Sequence, residues 1–580
     1  MKKSAHLICR FFDDFIKKYL LLNIGFLLLA AIESVLQNTV PQFTEKLVDD
    51  VLIHKNSTIF IQTILSMFLL YFFSTCIGYI YSIRCNALSE KIVKDIRQRV
   101  FQHIMNLDLQ YHEKVSVGEN VSRIDNDINI LQNLFESAFL DFVINMFDFV
   151  FITFMMLRIS APLTGLSFVL IVVYIVIGNK LIVLMKTNSK KVLEMNSDVV
   201  SKMTDFMNKI VTVKLFVMER LVNNTFATLQ QNLMKRRINV AKIQIINIEM
   251  ATLIFRIAEI LVWLLGGWMV IKHNMTLGAL TAFMVYQNSY VSPIITLSHL
   301  TGEVSCASAA LERIYQILDS KTESLGTFEY KGLQNKIQLK NVCFQYAGNS
   351  SDTLSNISIE LHKGETVAFV GENGSGKSSI MNLLTRLYKE QKGSILIDGV
   401  DLNLYTLESI RKHITIVPQQ INLFSMSLRE NMLLDNNQQE CIDTFEEELH
   451  IKKILEKLPN GYDSRIGERE NNLSGGEKQK IGILRSVLRV SQEDVLILDE
   501  PTSALDTQQK EIIMSVFEKL NCALKIIITH NYNELVKSDR IIVLNQGEVV
   551  GDGKHEELIA NCIHYQVLFC RKKEGENRIV

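Results

Sequence analysis

The chain has 580 residues, of which 48 % are apolar and 21 % charged, and its mean hydropathy is +0.16. A soluble domain carries about 25 % charged residues, so the composition points to a membrane protein, a large apolar enzyme, or both. The 61 basic and 62 acidic side chains cancel, which speaks against nucleic acid as a partner. With 6 prolines and 27 glycines the chain is neither collagenous nor linker-rich. Its 9 cysteines include no CxxC pair, so neither a disulfide framework nor a zinc site is expected.

A hydrocarbon core of about 30 Å asks for about 20 apolar helical residues. Six stretches in the first half meet that need, near Tyr19–Val40, Thr58–Tyr81, Ala138–Leu157, Pro162–Met185, Ile248–Ile271 and Leu277–Leu300. The sixth is the weakest, because Tyr286, Gln287, Asn288, Tyr290 and Pro293 interrupt it. No cleavable signal peptide is expected ahead of the first span, where Asp13 and Asp14 occur and a small-residue cleavage motif does not. Basic residues concentrate before the first span (Lys2, Lys3, Arg10, Lys17, Lys18) and in the long segments Ser82–Ser137 and Lys186–Asn247. The positive-inside rule therefore places both termini and both long segments in the cytoplasm of a multi-pass cell-membrane protein. The apolar spacing of Lys91–Ile104 predicts continuous helices that carry the spans far beyond the bilayer.

From about Asn335 the pattern changes to short strands separated by amphipathic helices. Strands are expected at Ile337–Phe344, Thr366–Val370, Ser394–Ile397, Asp494–Leu498, Lys525–Ile528 and Arg540–Leu544. That alternation describes an α/β domain with a largely parallel sheet. The expected organisation is an all-α membrane domain of six helices at residues 1–319, a polar linker at 320–334, and an α/β nucleotide-binding domain at 335–580.

The strand Thr366–Val370 runs into Gly371, Glu372, Asn373, Gly374, Ser375, Gly376, Lys377, Ser378 and Ser379, and an apolar helix follows. This is a phosphate loop in its proper context. Backbone N–H groups freed by the glycines wrap a phosphate, and the helix directs its positive end at the same anion. Lys377 is placed to reach the β- and γ-phosphates of ATP, and Ser378 to ligate Mg²⁺. The buried strand Val495–Leu498 ends in Asp499 and Glu500, at the sheet edge where ligands of such folds bind. Asp499 would hold Mg²⁺ and Glu500 would act as base for the attacking water.

Between these two motifs, Leu473, Ser474, Gly475, Gly476, Glu477, Lys478 and Gln479 open a helix. The segment resembles the signature of ATP-binding cassette (ABC) transporters. With six spans ahead of it, the whole chain resembles a half-transporter of the exporter type. The resemblance implies that Ser474, Gly475, Gly476 and Glu477 contact ATP and that Tyr346 stacks on adenine. It further implies that Gln419 meets Mg²⁺ and water, that His530 contacts the γ-phosphate, and that Ser503 and Asp506 cross a dimer interface. Four positions depart from the family pattern: Glu477 and Lys480 replace a usual glutamine and arginine, Gln420 stands where an acid is frequent, and Glu470 replaces a usual glycine. Gly118–Asp125 and the stretch around Lys214 look like exporter segments flanking coupling helices.

One phosphate loop and one signature per chain imply, by the same resemblance, a dimer whose ATP sites are shared between two copies. Intact Glu500, His530 and Ser474-Gly475-Gly476 favour a homodimer. Within the spans, Asp141, Asn145 and Asp148 have i, i+4, i+7 spacing, and Arg256 and Glu259 lie on the fifth span. Buried charges in a bilayer usually face a cavity or each other, so these residues are candidates for lining the cargo cavity. The alternative is internal pairing, of Arg256 with Glu259 or with Asp148. The expected activity is ATP-driven export of a peptide or amphipathic drug, with lipid flipping second. A regulator or channel gated by ATP is the alternative of another class.

Overall fold

In the computed structural model, the described residues are 2–53, 57–115, 117–133, 139–323, 326–349, 351–433, 442–466, 473–501 and 507–568. The chain forms two compact units. One comprises residues 1–105 and 116–320, and the other residues 106–115 and 321–580.

The first unit is helical. Its long helices are Leu20–Lys46, Ser57–Met105, Phe139–Ile159, Ala161–Asn208 and Glu219–Ile271. At 1.5 Å per residue, the 49, 48 and 53 residues of three of them span over 70 Å, well over twice a bilayer core of about 30 Å. The spans thus run on as continuous helix into the long inter-span segments, as the apolar spacing predicts, as far as Met105 and Asn208 and back from Glu219; between those ends the segments break into short helices and turns. Among the described residues five helices are long and apolar enough to cross a membrane. The sixth expected span is two helices, Leu277–Ser289 and Val291–Leu318, meeting at Tyr290. Polar residues from Tyr286 to Tyr290 dilute its hydropathy. Pro293 falls in the first turn of the second helix, where its missing N–H leaves no intrahelical bond unmade.

The first helix also differs from expectation. It runs past Val40, through Pro41, to Lys46. Thr39 and Thr44 donate to the carbonyls of Val35 and Val40 on either side of that proline, and spanning helices tolerate such prolines when neighbouring groups satisfy the backbone. A buried cluster of Ile152, Met156, Tyr174, Ile254, Val262 and Phe283 joins the third to sixth expected spans.

The second unit holds two main sheets. The larger has six strands in the order Glu548–Gly553, Arg540–Asn545, Thr366–Gly371, Leu524–Ile528, Val495–Asp499, Ile414–Val417. All its pairings are parallel except that of the Glu548–Gly553 edge strand. Each inner strand has at its centre a run of three or four apolar residues buried on both faces, the mark of a parallel sheet covered by helices. The second sheet is antiparallel, ordered Leu354–His362, Lys336–Phe344, Lys392–Ile397, Val400–Asp401. Parallel register places Ile528 opposite Asp499 and Phe369, so three strand ends open at one edge. The site grows from that edge.

The short helix Leu109–Lys114 belongs to this second unit, although it follows the long helix that ends at Met105. Leu107 bridges Thr322, and the Tyr388 hydroxyl donates to Glu113.

Candidate nucleotide site

The strand Thr366–Gly371 and the helix Lys377–Leu384 are joined by a loop that few other sequences could form. A Cβ on Gly371 would lie 2.2 Å from the Leu544 carbonyl oxygen. Gly376 caps the helix at φ +102°, and a Cβ there would meet the Leu354 side chain at 2.4 Å. Glycine is required at both positions for these reasons. Lys377 is buried, and its Nζ donates to the carbonyls of Gly371 (2.9 Å) and Glu372 (2.8 Å). Burial pulls its pKa below the ordinary lysine range, opposed by Glu500 and Asp499. Ser378 is exposed to the cleft beside it.

That cleft encloses about 860 Å³, and Tyr346, Lys377, Ser378, Gln419, Asp499 and Glu500 all line it. Burial, with Glu500 adding to it, pushes the Asp499 carboxyl above its usual range, and Lys377 partly offsets this. Glu500 takes φ +46°, and its N–H donates to the Ile528 carbonyl at 3.0 Å. A non-glycine residue with positive φ is uncommon; here it turns the carboxylate toward two partners. Gln419 Nε2 donates to Glu500 Oε2 at 2.8 Å, and His530 Nε2 lies 3.5 Å from Glu500 Oε1. The three residues come from different strand ends and were expected to act together; the fold brings them within contact.

Tyr346 presents its ring to the same cleft. Its hydroxyl is within 3.1 Å of both Ser379 Oγ and Asn382 Nδ2, and Tyr388 packs edge-on at 5.0 Å between centroids. Asn382 and Tyr388 escaped the sequence reading, since nothing in local spacing links them to a tyrosine some 40 residues earlier. The oxygens of Ser378, Gln419 and Asp499 are the hard donors Mg²⁺ prefers, and all three residues line the cleft. The residues present therefore fit a magnesium nucleotide.

Ser474 caps the helix Gly475–Val487 in a capping box with Glu477. Ser503 and Asp506 lie outside the described residues, as do Glu470 and its neighbours.

A family profile described as the ABC transporter transmembrane region matches residues 23–294, and one described as ABC transporter matches residues 354–503. The ATP-dependent lipid A-core flippase of Pasteurella multocida is 30 % identical over 497 residues, 83 % of this chain and 84 % of the flippase. The chain is an ABC half-transporter of the exporter type. An uncharacterized ABC transporter ATP-binding protein of Bacillus subtilis, YwjA, is 28 % identical over 90 % of this chain and 91 % of its own length. A solved bacterial Atm1-family ABC exporter with ATP bound superposes with a TM-score of 0.82 at 23 % identity, covering 95 % of this chain and 98 % of that one. That likeness shows the shared fold. The half-transporter is thus a multi-pass membrane protein that binds and hydrolyses ATP, and its family normally works as dimers.

The membrane unit of the half-transporter treats its polar residues differently. Asp148 accepts from Ser34 Oγ and, at 2.8 Å, from Asn38 Nδ2, both on the first spanning helix. Arg256 Nη1 lies 3.3 Å from Glu259 Oε2 on its own helix. Asn145 is half-buried, and the side chain of Asp141 lies outside the described residues. The described contacts therefore do not draw these five positions into one site.

Proposed function

We propose that two copies of this half-transporter hydrolyse ATP to move an amphipathic lipid between membrane leaflets. The observation that carries the cargo class is the relative named as a lipid A-core flippase, matched over more than four-fifths of both chains. Lipid is therefore placed ahead of the peptide or amphipathic drug expected from sequence. In this reading, residues 1–319 form the membrane domain and residues 335–580 the cassette, joined by a linker at 320–334. Both chain termini face the cytoplasm.

Lys377 and the phosphate loop hold the β- and γ-phosphates, with Tyr346 against the adenine. Mg²⁺, held by Ser378, Gln419 and Asp499, would neutralise charge on the phosphates. Glu500 accepts the proton of the attacking water, oriented by Gln419, while His530 contacts the γ-phosphate. Ser474, Gly475, Gly476 and Glu477 of one copy complete the site of the other, and Ser503 and Asp506 cross between copies. The pairing of Glu500 with both Gln419 and His530 supports hydrolysis over a gated regulator or channel.

The test is a reconstitution in liposomes carrying labelled lipids, beside a panel of peptides and drugs. Lipid transfer that needs ATP and stimulates its hydrolysis is the expected result. Stimulation by peptides or drugs alone would overturn the lipid assignment and leave the pump intact.

A further inference from the structure

The signature of this half-transporter carries a charge at its fifth position, and that charge points the wrong way. Helix N-termini attract anions through unsatisfied N–H groups and the macrodipole. A carboxylate one turn inside competes with any phosphate that approaches. Here the Glu477 carboxylate is shielded, with a side-chain exposure of 14 %. Its two oxygens are divided. Oε2 accepts from Ser474 N (2.7 Å) and Ser474 Oγ (2.9 Å), whereas Oε1 accepts from Lys457 Nζ at 2.6 Å. The backbone N–H of Glu477 returns to Ser474 Oγ at 3.3 Å.

Lys457 lies 20 residues earlier in the chain and outside the signature motif. It follows the helix Lys452–Leu455, and its backbone is held by a turn in which Lys457 N donates to the Ile454 carbonyl. Ile454 and Leu458 anchor that turn in the core under the signature helix. The ammonium is thus delivered to Glu477 from a fixed platform. Such a contact is charge-assisted at both ends and short, the stronger class of hydrogen bond.

We propose that Lys457 is a positioning residue for ATP hydrolysis: it neutralises Glu477, so that the Ser474–Gly476 helix start can receive the γ-phosphate held by a second copy. The inference rests on the reading that the signature acts on nucleotide. A glutamine at position 477 would need no counter-charge. The lysine therefore matters only while the carboxylate is present.

The experiment is a double-mutant cycle on the full chain in lipid nanodiscs, with MgATP turnover measured for Lys457→Met, Glu477→Gln and the pair. Loss of Lys457 leaves an anion beside the phosphate site, and the expected effect is a rise of about tenfold in KM for MgATP, the scale of one extra charge a few ångströms away in largely water-like surroundings, as the exposure of Lys457 implies. In the Glu477→Gln background the same Lys457→Met change should move KM less than about twofold. Lys457→Arg, which keeps the charge, should retain the wild-type KM. A merely structural lysine would lower turnover and unfolding temperature equally in both backgrounds, and equal KM shifts would overturn the inference. Should Lys457→Met fail to fold, Lys457→Gln runs the same cycle. Ser474→Ala separates the two claims: if it leaves KM unmoved, the signature reading falls and this inference with it. If Ser474→Ala raises KM while the Lys457 effect ignores residue 477, this inference alone falls.

Discussion

Charged and polar side chains in the two units meet opposite fates. In the nucleotide unit Lys377, Asp499 and Glu500 face one open cleft of about 860 Å³, and Lys377 is braced by backbone carbonyls rather than by those acids. In the membrane unit Asp148 is taken up by Ser34 and Asn38, and Arg256 by Glu259. Groups of the first kind hold unfavourable proximity in reserve for a ligand that relieves it. Groups of the second kind spend their hydrogen bonds inside the unit, Asp148 joining two helices and Arg256 reaching along its own, since an unsatisfied polar group in hydrocarbon is costly. The same residue type, an aspartate on a regular element, thus serves chemistry in one unit and assembly in the other.

The sharpest break of that comparison is Glu500→Gln. If the carboxylate is poised to take a proton, turnover falls by at least about 100-fold while ATP binding persists. Phosphate release and nucleotide binding in nanodiscs check both halves. Turnover that survives would move the base elsewhere and remove the contrast between the units.

Asp148 tests the other side. Asp148→Ala leaves two donors on the first span without their acceptor and should cost about 1–2 kcal/mol, read as a lower unfolding midpoint in detergent. Asp148→Asn keeps an acceptor oxygen, so stability and transport should both stay near wild type. Loss of transport in Asp148→Asn with ATPase retained would show that the charge itself meets cargo. The aspartate would then belong with Asp499 rather than opposite it.

Asp499→Asn should raise the unfolding midpoint of the nucleotide-free protein by a few degrees while abolishing hydrolysis. Burial and Glu500 disfavour the Asp499 carboxylate, and the amide has the same shape without the charge. A gain in stability at the expense of function is the pattern of a preorganised site. A lower midpoint would mean that Asp499 is already satisfied within the fold.

The contrast also explains what could be read from sequence. The phosphate loop is legible because its demands are local: Gly376 must adopt φ +102° against Leu354, and only glycine does so. The inner strands are legible because burial on both faces leaves unbroken apolar runs. The edge strand Leu354–His362 is not legible in this way, since its apolar residues alternate with polar ones and dilute the run. Partnerships that lie outside the family's motifs are not legible. Tyr388 braces Tyr346 and Lys457 reaches Glu477 only because strands and helices far apart in sequence fold together. The Asp141–Asn145–Asp148 stripe was read as a helical face, but its periodicity could not say that Ser34 and Asn38 wait opposite. The sixth span was read as one helix, and the turn at Tyr290 divides it.

Glu477 is the case that crosses the boundary, a carboxylate in the nucleotide unit whose bonds are spent like those of Asp148. Although burial alone would raise its pKa, hydrogen bonds from Lys457 and Ser474 hold it below the usual glutamate range. A depressed native pKa means that the unfolded chain binds the proton first, so stability rises with pH through that interval. The contribution is fully present above the unfolded value of about 4.3 and is lost as pH falls through the native one. Glu477→Gln should therefore lower stability by roughly 0.5 kcal/mol at pH 7, and the gap to wild type should hold down to about pH 4 and close only as the pH falls below it. Thermal unfolding of the two proteins from pH 7 down to about pH 2 decides it, since the loss falls below the unfolded value of about 4.3. A gap that stays constant would mean that the cap bonds matter and the charge does not, and Glu477 would then be a neutral cap whose lysine partner has nothing to cancel.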